Sequence, residues 1–152
     1  MGGVNKRRGR RVEDAEKWEK GFLKLNYMEE NKITETIIGC AIKVHKVLGP
    51  GLLESTYEAG LAYEISKSNL EVKRQQPIPM LYETIKLDCG FRADIIVEKK
   101  VIVEVKAIEA LNDIHLAQIL THLRLTNCKV GLLINFNVLV LTSGLRRVVN
   151  NF

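Results

Sequence analysis

The stretch Phe91-Arg92-Ala93-Asp94-Ile95-Ile96-Val97-Glu98-Lys99-Lys100-Val101-Ile102-Val103-Glu104-Val105-Lys106-Ala107 decides the fold. Two β-branched runs, residues 91–98 and 101–108, meet across a polar connection, which is the signature of a hairpin. Strand side chains alternate between faces, so Glu104 and Lys106 share one face while Val101, Val103, Val105 and Ala107 share the other. Asp94 stands in the partner run among apolar residues, and the register decides whether it meets Glu104. A turn of Lys99-Lys100 alone would set Asp94 opposite Val105 and mix charges into both faces. An odd connection such as Glu98-Lys99-Lys100, or a β-bulge that adds one residue, sets Asp94 near Glu104 and collects Phe91, Ala93, Ile95 and Val97 with the valines on one apolar face. A one-residue slip exchanges the two faces, so the charge sorting predicts the odd register.

Two carboxylates about 4 Å apart repel by roughly 1–4 kcal/mol at effective dielectrics between 80 and 20, so such a pair needs a proton or a cation between them. Oxygen ligands of this kind suit Mg²⁺ or Mn²⁺. Lys106 beside them would hold an attacking water and offset charge developing on a phosphate. The plainer alternative is a structural salt bridge of Lys106 with Asp94 or Glu104.

Outward from the hairpin, Ile33, Ile37, Ile38, Ala41, Ile42 and Leu48 form a helical stripe that stops at Gly49-Pro50-Gly51. Leu53, Tyr57, Leu61 and Ile65 predict a second helix ending near Ser68-Asn69. Residues 72–82 read as an edge strand or a broken one, because Pro77 and Pro79 cannot donate to a ladder. Asn112 is a candidate N-cap for a third helix reaching about Leu125. Residues 130–134 and 138–141 predict further strands, with a last short one at 145–149. The order predicts an α/β domain, a mixed sheet flanked by helices. On the third helix, His115, Gln118 and His122 fall between apolar flanks rather than on the face of Ala117, Thr121 and Arg124. Gln118 would orient a water or a phosphate, and the histidines would either join the same site or serve as satisfied core imidazoles. Glu54 falls in the first turn of the second helix, where the helix dipole favours any carboxylate; Tyr57 reads as a core aromatic with its hydroxyl paired.

The chain has 152 residues, 46% hydrophobic and 27% charged, with a net charge of +5. That composition excludes disordered, collagen-like and disulfide-scaffold classes. The three cysteines, Cys40, Cys89 and Cys128, are widely spaced with no C-x-x-C pair, which suggests neither a zinc site nor a disulfide framework. With no membrane anchor or secretory signal in view, a reducing cytoplasm is the expected compartment. Lys6, Arg7, Arg8, Arg10 and Arg11 carry the whole net charge; the remaining cations balance the 18 acids. This tail is either a phosphate-contacting arm or a solvated segment. From Val12 on, Ala15, Trp18, Phe22 and Leu25 suggest an amphipathic helix weakened by Gly21, so residues 1–28 are expected to be an appendage to a single domain at 29–152.

The segment Gly51-Leu52-Leu53-Glu54-Ser55-Thr56-Tyr57 resembles the signature of the GxxExxY proteins, a branch of the PD-(D/E)XK nuclease superfamily. Gly49-Pro50-Gly51, Phe91-Arg92-Ala93-Asp94, Glu104-Val105-Lys106-Ala107, His115 with Ala117-Gln118, and Gly131 to Phe136 continue the resemblance from about Met28, itself a candidate functional start, to Val149. Ala93 stands in place of the superfamily's proline, and His122 where tyrosine is common. The resemblance implies a restriction-endonuclease-like core with Asp94 and Glu104 as metal ligands. It further implies Lys106 as catalytic lysine, Glu54 as an accessory acid that can join the metal, and Gln118 as a helper, with His115, His122 and Tyr57 nearby. The expected function is a Mg²⁺- or Mn²⁺-dependent nuclease acting on nucleic acid, DNA first, with a homodimer compatible with cutting two strands. The alternative is a catalytically silent module on the same fold that binds nucleic acid or a protein partner.

Overall fold

The computed structural model describes residues 5–151, with their side chains except those of residues 5–8, 26–28, 88 and 89. The side chains of Lys6, Arg7, Arg8, Met28 and Cys89 therefore lie outside the described residues. The chain divides into two compact units, Met1–Lys32 and Ile33–Phe152.

In the first unit, helix α1 (Asn5–Leu48) is under way by Asn5 and passes Gly21 unbroken. This differs from a tail followed by a separate weak helix. One glycine costs only about 1 kcal/mol against alanine, and no proline interrupts residues 5–48. Arg10 and Arg11 are exposed, as are Val12, Trp18, Phe22 and Leu25.

The second unit begins on α1 and continues through α2 (Glu54–Ser66), β1 (Val72–Tyr82), β2 (Ile85–Val97), β3 (Val101–Lys106), α3 (Asp113–Thr126), β4 (Val130–Asn135), a 3₁₀ turn (Leu141–Gly144) and β5 (Leu145–Val149). The five strands lie in chain order in one sheet. All neighbours are antiparallel except β3 and β4, which α3 joins as a parallel crossover. The architecture is the mixed α/β sheet with flanking helices that the sequence predicts.

Ile33, Ile37, Ala41 and Val44 of α1 and Tyr57, Leu61 and Ile65 of α2 pack with Val97, Val101, Val103, Val105, Leu132 and Ile134. Between the two helices the chain turns at Gly49 and Gly51, both at positive φ (66° and 95°) that suits glycine. Tyr57 fastens this turn. Its hydroxyl donates to the Gly49 carbonyl at 2.5 Å and accepts from the Leu52 N–H at 3.1 Å, while its ring stacks on Phe136 at 4.7 Å. Ile102, Leu123 and Cys128 belong to a second cluster. There α3 approaches β4 at Gly131, where a Cβ would come within 2.8 Å of Ile119.

Three expectations are corrected. Residues 138–141 form no strand: Leu139 is exposed and the chain turns into the 3₁₀ segment. The Asn135 side chain accepts from the Asn137 N–H at 3.2 Å, and Gly144 sits so close to the Asn135 carbonyl that any Cβ would collide with it. Phe91 and Ala93 pack in the second cluster, not with Ile95 and Val97. The alternation changes face near the one missing rung between Arg74↔Ile95 and Gln76↔Ala93, where Gln75 takes a left-handed φ of 48°. Strand β2 also starts earlier than its β-branched run, at Ile85, after a turn at Glu83 (φ 51°). Among the described residues no helix is long and apolar enough to cross a membrane.

Candidate active site

The β2–β3 ladder pairs Val97↔Val101, Ile96↔Ile102 and Ile95↔Val103, leaving Glu98, Lys99 and Lys100 as the connection. This is the odd register. Glu98 and Lys99 both take positive φ, 53° and 55°, and Lys100 N–H closes the turn on the Val97 carbonyl at 3.0 Å. Continued by one rung, the same register sets Asp94 opposite Glu104. There the backbone ladder gives way to a side chain: Asp94 Oδ2 accepts the Val105 N–H at 2.8 Å.

The two acids meet. Asp94 is half-buried and Glu104 is buried. Burial, followed by the negative charge of Glu104, pushes the Asp94 pKa up to about 7, and a hydrogen bond to Glu104 favours the protonated form further. The Val105 N–H opposes the rise without cancelling it. Crowding by a second carboxylate thus favours the protonated form of Asp94.

Helix α3 supplies the partner of Glu104. His122 is buried, and its Nδ1 is hydrogen-bonded to Glu104 Oε1 at 2.5 Å. The ring stands edge-on to Phe91 at 5.1 Å, and its Nε2 has no hydrogen-bond partner among the described residues. Lys106 is half-buried at the end of β3 and makes no ion pair with Asp94 or Glu104. In place of a structural salt bridge from Lys106, Glu104 pairs with His122.

Glu54 stands exposed in the first turn of α2 with no capping hydrogen bond from Leu53. One turn on, Glu58 is buried and adds a third negative charge that acts on Asp94. Its carboxylate is held by Gln75 Nε2 at 3.0 and 2.9 Å and by Arg74 Nε at 3.3 Å. Gln75 is the left-handed residue facing the missing rung beside Asp94, so the kink in β1 and the position of Glu58 are one feature. Sequence reasoning misses Glu58, although a carboxylate three and four residues before Leu61 and Ala62 on a buried helix face is a usable signal.

The remaining candidates are dispersed. His115 completes the N-terminal cap of α3: its Nδ1 accepts the Asn112 N–H at 3.1 Å, while Asn112 Oδ1 accepts from Ile114 and His115. Gln118 is exposed. Tyr57 is occupied by the Gly49–Leu52 turn.

Among the described residues no group of three His, Cys, Asp or Glu side chains stands in a ready metal-ligating arrangement. The donor chemistry of the pair nonetheless suits a small hard cation: two carboxylates, with a third acid adding negative charge. A model of the PD-(D/E)XK nuclease superfamily matches residues 31–148. No curated protein and no solved structure matches the chain significantly.

Proposed function

We propose that this chain, which belongs to the PD-(D/E)XK nuclease superfamily, hydrolyses phosphodiester bonds of nucleic acid, DNA first, with Mg²⁺ or Mn²⁺ held by Asp94 and Glu104. The observation that carries the reading is the juxtaposition of these two acids across an odd-register hairpin. A site that holds two carboxylates together at a cost exchanges its proton for a cation. The cation, when bound, supplies Lewis-acid polarisation of the phosphate.

This chain's own groups do the rest. The Val105 N–H fixes one oxygen of Asp94, and His122 fixes one oxygen of Glu104, so both carboxylates are oriented before substrate arrives. Lys106, on the face of Glu104, orients the water that attacks phosphorus and offsets the negative charge that develops there. The water oxygen bonds to phosphorus and its proton is lost to solvent, the phosphorus–oxygen bond to the leaving strand breaks, and that strand departs as an alcohol after taking a proton from solvent. Glu58 takes the accessory-acid place that the family resemblance implies for Glu54, because it is the acid of α2 that acts on Asp94. The segment 51–57 supports placing the chain in the GxxExxY branch.

Calorimetry with Mn²⁺ on wild type, Asp94→Ala and Glu104→Ala tests the site. Each variant should lose the binding isotherm, and equal binding by all three would remove the metal reading. Lys106→Ala separates the enzyme from a silent binding module: cleavage of single-stranded, duplex and branched substrates should vanish while affinity stays within a few-fold.

A further inference from the structure

Strands β1 and β2 run on past the acid pair as a two-stranded arm, and the arm carries a groove of about 270 Å³ lined in part by Pro77, Pro79, Lys86, Leu87, Phe91 and Arg92. The sequence explains why it opens there. Pro77 and Pro79 cannot donate to a ladder, and the register shifts between Ile78 and Met80. Such bulges re-aim side chains and recur beside active sites.

The lining has a distinct chemistry. Two pyrrolidine rings, a leucine and an aromatic ring offer flat apolar surface, and both charged members are cations. Neither Lys86 nor Arg92 makes an ion pair with a described residue, whereas Lys43 and Lys67 bind Glu64, Lys73 binds Glu71 and Arg74 binds Glu58. Among the described residues that line the groove, no acid answers the two charges. The groove also adjoins the acid pair. Arg92 lies two residues from Asp94 on β2, and Phe91 packs against the His122 ring that holds Glu104.

We propose that this groove is a subsite for one unpaired nucleotide next to the cleaved phosphate, with the base on Phe91 and the prolines and its phosphate on Lys86 and Arg92. The groove has room for a base, and a base within a duplex keeps its faces stacked on its neighbours and cannot lie on the groove floor. A flat apolar floor accepts the face of any base, so the subsite selects unpaired strands without reading sequence. The assignment rests on the hydrolytic reading of Asp94 and Glu104, and names the substrate of that site as single-stranded or frayed nucleic acid.

Fluorescence anisotropy in EDTA tests it with three labelled probes of one length: oligothymidylate, an abasic strand and a blunt duplex. Wild type should bind oligothymidylate about 10-fold more tightly than the abasic strand, the scale of one base stacked on an aromatic ring. Phe91→Leu keeps apolar bulk in the cluster and should erase that preference. The double variant Lys86→Gln/Arg92→Gln should lower the logarithmic salt slope on single strands by about 1.4, two contacts at about 0.7 each. Unchanged slope and unchanged base preference would overturn the subsite, as would a blunt duplex bound as tightly as oligothymidylate with the same response to the substitutions. Mn²⁺ calorimetry on the double variant should match wild type. Failure of wild type to bind Mn²⁺ would count against the hydrolytic centre, while the anisotropy still decides whether the groove holds a nucleotide.

Discussion

Asp94 holds a proton in the folded protein over a range of pH in which the same side chain in the unfolded chain has lost it. Its folded pKa of about 7 lies above the ordinary 3.8, chiefly through burial and then through Glu104. The native state therefore binds more protons between those values, and stability falls as pH rises through the window. Below 3.8 this contribution is fully present; above about 7 it is gone. Asp94→Asn keeps an acceptor for Val105 and adds a permanent donor toward Glu104, so its stability should not fall in this way. Urea unfolding across the window should show the variant gaining on wild type by less than the ~1.4 kcal/mol per pH unit of a fully protected group, because Asp94 is only partly buried. With saturating Mn²⁺ the order should reverse, the cation having replaced the proton. The neighbouring pair gives a second expectation. His122→Phe retains ring volume against Phe91 but leaves Glu104 buried without its partner, which should remove about 3 kcal/mol. An unfolding midpoint equal to wild type would show that Glu104 does not depend on His122.

The hairpin at 98–100 shows which parts of the site the sequence carries at the scale of an element. Its odd connection requires left-handed backbone at Glu98 and Lys99, a conformation that costs an L-residue roughly 1–2 kcal/mol. Lys99→Gly relieves part of that cost against the extra freedom it gives the unfolded chain, and should stabilise the protein by roughly 0.5–1 kcal/mol with Mn²⁺ affinity unchanged. Loss of stability would mean that the Lys99 side chain contributes more than its backbone costs. The register is legible because an even connection would put Asp94 on the valine face of β3, whereas the odd connection keeps that face free of charge. The helix ends are legible for a similar reason: Gly49, Gly51 and Asn112 are residues whose local backbone needs are strong. Other parts are not legible because they depend on contacts distant in sequence. Glu58 is held by Arg74 and Gln75 of another strand, and no periodicity within α2 records that bond. The face change at Phe91 and Ala93 follows from a left-handed Gln75 on the neighbouring strand, whose residue type does not announce it. His115 falls among the site candidates by helical angle, yet its position three residues after Asn112 makes it a cap.

Across the whole molecule, the basic run and the site chemistry are separated along the chain. The acids and the lysine of the site fall in the unit Ile33–Phe152, which has 14 basic and 12 acidic residues, while the unit Met1–Lys32 has 9 basic and 6 acidic residues and holds the basic run at 6–11. Without Lys6, Arg7, Arg8, Arg10 and Arg11 the chain is neutral overall, so this run strengthens long-range attraction to a polyanion. We propose that residues 1–28 act as a separable basic arm and that 29–152 is the nuclease-like domain. Deletion of residues 1–27 should then leave the thermal unfolding midpoint and Mn²⁺ affinity of the remainder near those of the full chain. Nucleic-acid binding should weaken, and its salt dependence should flatten by about 0.9 for each duplex phosphate that the arm neutralises. The groove on the β1–β2 arm lies outside the deletion, so the preference for oligothymidylate over an abasic strand should survive while overall affinity falls. That combination separates an arm that gathers substrate from a groove that selects it. A truncated protein that unfolds would show that Trp18 and Phe22, exposed in this structure, contribute to the fold of the domain. One that binds nucleic acid with an unchanged salt slope would show that the basic residues at 6–11 do not touch phosphate.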